Sequence, residues 1–167
     1  MKTRILLDNI RSRYNVGAIF RTADGAGVEH VYLAGRTPAP LDRFGRVDQK
    51  ISKTSLGACD TVAWTHVGQM DDWSTLAISA QLEQLRNEGF AILVVEQTAA
   101  SIALEAVEWP EDAVVVFGAE DEGVQAVICD QADACIELPM LGTKESLNVS
   151  VTAGIMLYQR LLSRGQC

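Results

Sequence analysis

The stretch that settles the fold class is AVVVFGAEDEG, residues 113–123. Ala113–Gly118 is an apolar run suited to a strand buried on both faces, as in a parallel sheet covered by helices. Phe90–Glu96 is a second such run. Working outward, Arg4–Asp8, His30–Ala34, Val62–Trp64 and Ala134–Leu138 read as further strands. Helical segments fall between them. Val16, Ile19, Phe20, Ala23 and Ala26 recur at helical spacing from Asn15 until Gly27. Lys50–Cys59 reads as a short helix. Leu76, Ile78, Leu82 and Leu85 mark another, with Ser74 as its N-cap and Gly89 as its stop. A short helix is expected near Val124–Asp130, and a last one over Leu147–Leu162. Gly35 to Arg46 and Pro139 to Ser146 read as loops. The expected fold is α/β, a mostly parallel sheet with helices on both faces, in a single domain over residues 1–167.

The last helix has no clean polar face. Leu147, Val149, Val151, Ala153, Ile155, Met156, Leu157, Leu161 and Leu162 leave it apolar most of the way round, so it must be buried on most sides. In so small a domain, one side faces the sheet and the other a second subunit, which favours a homodimer.

The 167 residues carry 14 basic and 22 acidic side chains, a formal net charge of -8. Taken as one number, this argues against a nucleic-acid partner. The charge is unevenly spread. Residues 1–53 hold ten basic residues against five acidic, a balance of +5, and the remainder holds four against seventeen, or -13. An acidic chain of this kind can still present a basic face, or the two segments can pair and cancel. Cys59, Cys129, Cys135 and Cys167 form no C-x-x-C pair, and His30 and His66 are far apart, which argues against a zinc site and leaves no metal expected. Cys129 and Cys135 read as small core residues. Met1 to Asp8 runs into a strand without a long apolar stretch, and no apolar run is long enough to span a bilayer. The expectation is a reduced, cytoplasmic protein.

Three segments carry candidate chemistry. In the first, Asn15 to Ala23 (NVGAIFRTA), Asn15 has an adequate reading as a helix cap and Arg21 as a solvated helix arginine. In the second, Gly118 ends a buried strand and Glu120, Asp121 and Glu122 follow. Glycine there lets backbone approach a ligand at the strand end where open sheets bind. The acids read as a solvated turn or, with no other acidic cluster in support, a cation site. In the third, Leu138 to Val151 (LPMLGTKESLNVSV), a loop enters the last helix through Ser146, a natural cap, and Asn148 lies in the first helical turn. Asn148 reads either as part of a capping pair or as an orienting amide in a site.

Together and in this order, N-x-G-x-I-x-R-T-A, F-G-x-E-x-x-G and P-M-x-G-x-x-x-S-L-N-V-S-V resemble the three motifs of the SpoU (TrmH) family of RNA ribose methyltransferases, from Leu7 to about Tyr158. The resemblance implies the SPOUT methyltransferase fold with a deep C-terminal trefoil knot, S-adenosylmethionine held in the knot, a homodimer, and methyl transfer to a ribose 2'-hydroxyl of tRNA or rRNA. No glycine-rich turn follows the strand at Ile5–Leu7, which argues against a dinucleotide-binding enzyme. Matched by motif, the cofactor residues are Thr98, Gly118, Leu138, Met140 and Leu147, and the catalytic ones Arg21, Asn15, Glu120, Ser146 and Asn148. Arg21 would accept the hydroxyl proton or, more conservatively, hold a phosphate and stabilise the developing alkoxide, oriented by Asn15 and Glu120. Larger relatives carry extra RNA-binding segments. This chain resembles a minimal form, so RNA contacts are expected from Arg11, Arg13, Arg36, Arg43, Arg46, Lys50 and Lys53. The competing reading is a non-catalytic RNA-binding or assembly protein that retains the fold.

Overall fold

The computed structural model describes residues 1–68, 75–144 and 146–163. Seven strands form one sheet: β1 (Thr3–Asp8), β2 (His30–Ala34), β3 (Ala63–His66), β4 (Ala91–Val95), β5 (Ile102–Ala103), β6 (Ala113–Phe117) and β7 (Ala134–Glu137). Their order is β3-β2-β1-β6-β4-β7-β5. Every neighbouring pair is parallel. The helices are α1 (Arg13–Gly25), α2 (Gln49–Ser55), α3 (Ala58–Thr61), α4 (Thr75–Asn87), α5 (Ala126–Cys129) and α6 (Val149–Ser163).

The sheet alternates its side chains between two cores. Ile5, Leu7, Val31, Leu33, Leu93, Val115 and Phe117 pack on one face with residues of α1, α2, α3 and α6. Leu6, Tyr32, Ile92, Val94, Val114 and Val116 pack on the other with residues of α4 and α5. The apolar runs lack a two-residue period because both faces are dry, and each fully buried aliphatic side chain contributes about 1.5–3 kcal/mol. Cys129 and Cys135 are half-buried against the second core.

The strands expected from sequence all form, with ends shifted by one or two residues, and Gly118 lies just past β6 rather than in it. The helical region expected at Lys50–Cys59 divides into α2 and α3 because Leu56 and Gly57 both take left-handed backbone, at φ 49° and 92°. The helix expected near Val124–Asp130 shortens to α5. β5 and a single 3-10 turn at Leu104–Ala106 were not foreseen, being too short for a period to show. The Ser74 cap lies outside the described residues. Gly27 and Gly89 do stop α1 and α4. Val28 N–H donates to Ala23 O in the first case and Phe90 N–H to Leu85 O in the second, the paired bonds of a Schellman ending.

Two caps differ from expectation. Ser12, not Asn15, caps α1, its hydroxyl accepting from Asn15 N at 3.3 Å. Asn148, not Ser146, caps α6: its Oδ1 accepts from Ser150 N at 2.9 Å, and its carbonyl accepts from Thr152 N. The last helix therefore begins at Val149 rather than Leu147. Gly17 has a packing role, since an added Cβ would sit 2.5 Å from the Ile51 carbonyl oxygen of α2.

α6 is buried on one side only. Val149, Ala153, Met156 and Leu157 face the sheet, while Val151, Ile155, Tyr158 and Leu162 form an exposed apolar stripe. Among the described residues no helix is long and apolar enough to cross a membrane. The inner face also holds a charge. Arg160 is 1 % exposed. Its guanidinium donates to Thr3 Oγ1, Pro110 O and Lys2 O at 2.9 Å each and to Glu111 O at 3.0 Å. This pins the C-terminal helix to the first strand and to the turn before β6. Arg160→Met should lower stability by about 1–3 kcal/mol, because it removes the four hydrogen bonds by which a buried guanidinium joins α6 to β1 and to the turn before β6. Denaturant unfolding checks this, and a loss below 1 kcal/mol would show that water replaces the guanidinium.

Candidate functional site

The C-terminal ends of β4, β6 and β7 open onto a cavity of about 520 Å³. That is the edge at which parallel α/β sheets place ligands. Gly118, Leu138, Met140, Ser146 and Leu147, all expected at the site, line it, as does Glu120. Thr98 does not. It sits in a turn where its N–H donates to Ser101 Oγ at 2.8 Å, and Glu96 and Gln97 take the wall position instead. Gly118 is required by close approach, because a Cβ there would lie 2.5 Å from Val124 N. The loop from Ala119 to Gly123 can then fold back over the strand end.

Glu120 is the hub of the site. Its Oε1 accepts from Asn15 Nδ2 at 3.0 Å and from Val149 N at 3.1 Å. Asn148 Nδ2 in turn donates to Asn15 Oδ1 at 3.2 Å. A carboxylate at the start of α6 also complements the helix dipole. Asn15 and Glu120 thus bind each other and the entry of α6. Neither is hydrogen-bonded to Arg21, which is exposed on α1.

Sequence reasoning missed the carboxylates of the opposite wall, Glu96 and Glu137. Glu96 accepts from Val124 N and Gln97 N at 3.0 Å each. The signal available was position: Glu96 closes a buried strand in the way that Gly118 follows one. Asp8, at the end of β1, was also missed. It is fully buried and accepts from Gln125 N at 2.8 Å and Gln125 Nε2 at 2.5 Å. Burial pushes its carboxyl up, the Gln125 bonds oppose this, and Glu122 adds to it.

The basic residues divide. Arg11 pairs with Asp121 and, at 3.7 Å, with Glu122, and Arg36 approaches Glu122 at 3.9 Å. The acids after Glu120 are thereby neutralised by the N-terminal third, and Asp121 is held below its ordinary value by the Arg11 hydrogen bond and charge. Arg13 pairs with Asp48 at 2.7 Å and Arg46 with Asp42 at 2.7 Å. Arg43, Lys50 and Lys53 are exposed, and Lys50 lies 6.0 Å from the centre of the Tyr14 ring. Arg13, Arg36 and Arg46 line a second cavity of about 810 Å³ beyond the ends of β2 and β3.

Over residues 2–158 the sequence matches the SpoU rRNA Methylase family. The chain belongs to that family. It is 32 % identical over 155 residues to the 23S rRNA (guanosine-2'-O-)-methyltransferase RlmB of Neisseria meningitidis, covering 93 % of this chain and 56 % of that protein. The A. aeolicus TrmH/SpoU tRNA modifying enzyme is similar in structure, with TM-score 0.81, 27 % identity and coverage of 99 % of this chain and 76 % of that one. The SpoU methyltransferase AviRb from Streptomyces viridochromogenes, solved with AdoMet, shares the fold at TM-score 0.82 and 21 % identity, covering 98 % and 60 %. The chain spans little more than half the length of the curated relatives it matches. The SpoU motifs thus converge here: the asparagine of the first, the glutamate of the second and the asparagine of the third are the hydrogen-bonded hub.

Glu120→Ala should cost about 1–3 kcal/mol, because it removes an acceptor shared by Asn15 and Val149. Denaturant melts measure it, and an unchanged midpoint would show that the hub does not hold α6. Asp8 supplies a pH test. Its folded pKa is raised, so its contribution to stability is full below the unfolded value, about 3.9, and is lost as pH rises through the folded value. Asp8→Asn should therefore be less sensitive to pH from 4 to 7 than the wild type, and a difference independent of pH would exclude ionisation of Asp8 as the cause.

Proposed function

We propose that the chain is an S-adenosylmethionine-dependent methyltransferase acting on a ribose 2'-hydroxyl of tRNA or rRNA. The observation that carries this reading is the cavity at the β4, β6 and β7 ends, walled by two of the SpoU motifs and tied to the first through Glu120 and Asn15. Its volume suits a ligand of cofactor size. Its donor set fits this one: Leu138, Met140 and Leu147 offer apolar wall, while Glu96, Glu120 and Glu137 favour a molecule bearing a sulfonium and an ammonium. Bound there, S-adenosylmethionine supplies an electrophilic methyl group.

The chain's own task is to position a weak nucleophile and stabilise the charge it develops. Arg21 suits the second role. Its side chain is exposed, and a guanidinium is a cation and a poor base. It holds a phosphate and steadies the alkoxide as the hydroxyl proton leaves to solvent. Asn15, Glu120 and Asn148 are positioning residues that fix the start of α6 against α1, and Ser146 lies on the cavity wall.

The functional unit in this reading is a homodimer, with cytoplasmic RNA as substrate. The exposed stripe of Val151, Ile155, Tyr158 and Leu162 is the surface that supports pairing. α1 runs beside α6, for a Cβ at Gly25 would meet the Tyr158 hydroxyl at 2.9 Å, so Arg21 stands near that surface and serves the partner's cavity. The trefoil knot is supported by strand order. β7 fills the slot between β4 and β5, which the chain has already joined through residues 96–101.

Titration with S-adenosylmethionine should show binding, and incubation with bulk RNA should yield a 2'-O-methylated ribose. Arg21→Ala should abolish turnover while cofactor binding survives. RNA binding without any cofactor binding would favour the non-catalytic reading, and a methylated base would reject the ribose assignment.

A further inference from the structure

The turn between β2 and α2 presents an aromatic ring to solvent on a rigid support. Leu41 and Val47 form an antiparallel bridge that closes a short loop. Asp42 organises its tip. Its Oδ1 accepts from Phe44 N at 2.8 Å and Arg46 N at 2.9 Å, its Oδ2 from Arg46 Nε at 2.7 Å, and its carbonyl from Gly45 N at 2.9 Å. Phe44 stands on this tip 67 % exposed. The guanidinium carbons of Arg43 and Arg46 lie 4.9 and 5.0 Å from its ring centre.

A single exposed apolar residue is unremarkable. Three features set this one apart. These four bonds and a fifth, from Asp42 N–H to Arg46 O at 2.9 Å, hold the loop, so the ring is presented at a reduced ordering cost on binding. Two guanidiniums lie about 5 Å from the ring centre, and that of Arg43 makes no ion pair among the described residues. The inner side of the same loop, at Asp42, Arg46 and Val47, lines the second cavity together with Arg13 and Arg36.

We propose that Phe44 is a stacking platform for an unpaired base of the RNA, with Arg43 holding the adjoining phosphate. This rests on the RNA-directed reading above. An aromatic face accepts any base, and guanidinium planes stack in the same way, so the contact selects strand state rather than sequence. A duplex keeps its base faces covered by their neighbours, so the loop favours single-stranded segments and seats them at the rim of the basic cavity.

The test uses the full chain, a short unstructured RNA and a duplex of the same sequence. Phe44→Ala and Phe44→Leu should each weaken single-strand binding about tenfold, while Phe44→Trp keeps wild-type affinity. Duplex binding and S-adenosylmethionine binding should not change in any of the three. Wild-type single-strand affinity in Phe44→Leu overturns the proposal, since bulk without a π-face would then suffice. Equal losses on duplex and single strand overturn it as well. A change of mass in light scattering for Phe44→Ala would assign the ring to a protein contact instead. If the wild type transfers methyl groups to RNA while Phe44→Ala binds RNA unchanged, the stacking role fails and the enzyme reading stands. If the wild type binds no RNA, the enzyme reading fails first.

Discussion

One carboxylate holds the site together. Glu120 follows the fully buried β6 and receives bonds from α1 and from the first residue of α6. The three partners lie more than 100 residues apart at the extremes, so the bond exists only because the tertiary fold brings them together. Leu138 of the cavity wall follows β7 directly, and Ser146 and Leu147 lie just before the anchored start of α6. Loss of this bond would free the helix start and, with it, the loop over the cavity.

The far end of α6 is fixed by a second polar anchor. Arg160 replaces a hydrophobic contact with four hydrogen bonds to Thr3 and to carbonyls of Lys2, Pro110 and Glu111. A buried arginine is costly to desolvate and is retained here by geometry, since its planar fork reaches two separate segments at once. The C-terminal helix is thus held at both ends by polar groups while Ala153, Met156 and Leu157 between them join the core beside α1. Its outer apolar stripe stays free for another surface.

The uneven charge of the chain acquires a meaning in three dimensions. The acids after Glu120 do not stand unopposed, because Arg11 and Arg36 lie against them. Some of the N-terminal positive charge is spent in this way, and some within its own segment on Asp42 and Asp48. Both of the readings that the composition left open therefore hold in part: the segments pair, and Arg43, Lys50 and Lys53 remain exposed on the same third of the chain.

The fold class was legible because a strand with two dry faces must be continuously apolar, and Ala113–Phe117 and Ala91–Val95 are. The SpoU resemblance was legible in three motifs taken together, and it pointed to Gly118, Glu120, Leu138, Met140, Ser146 and Leu147 of the cavity wall. Sequence alone did not assign the caps, since Ser12, Asn15, Ser146 and Asn148 are all competent cap residues, and only the start of α1 at Arg13, capped by Ser12, removes Asn15 from that role. It did not reveal Arg160, which has the same spacing as a solvated helix arginine. Nor did it show that Asn15 and Glu120 bind one another instead of Arg21. Local pattern determined which segments are buried; only the tertiary structure decided which polar groups meet, because hydrogen bonds between residues distant in sequence depend on strand order, and strand order leaves no periodic trace.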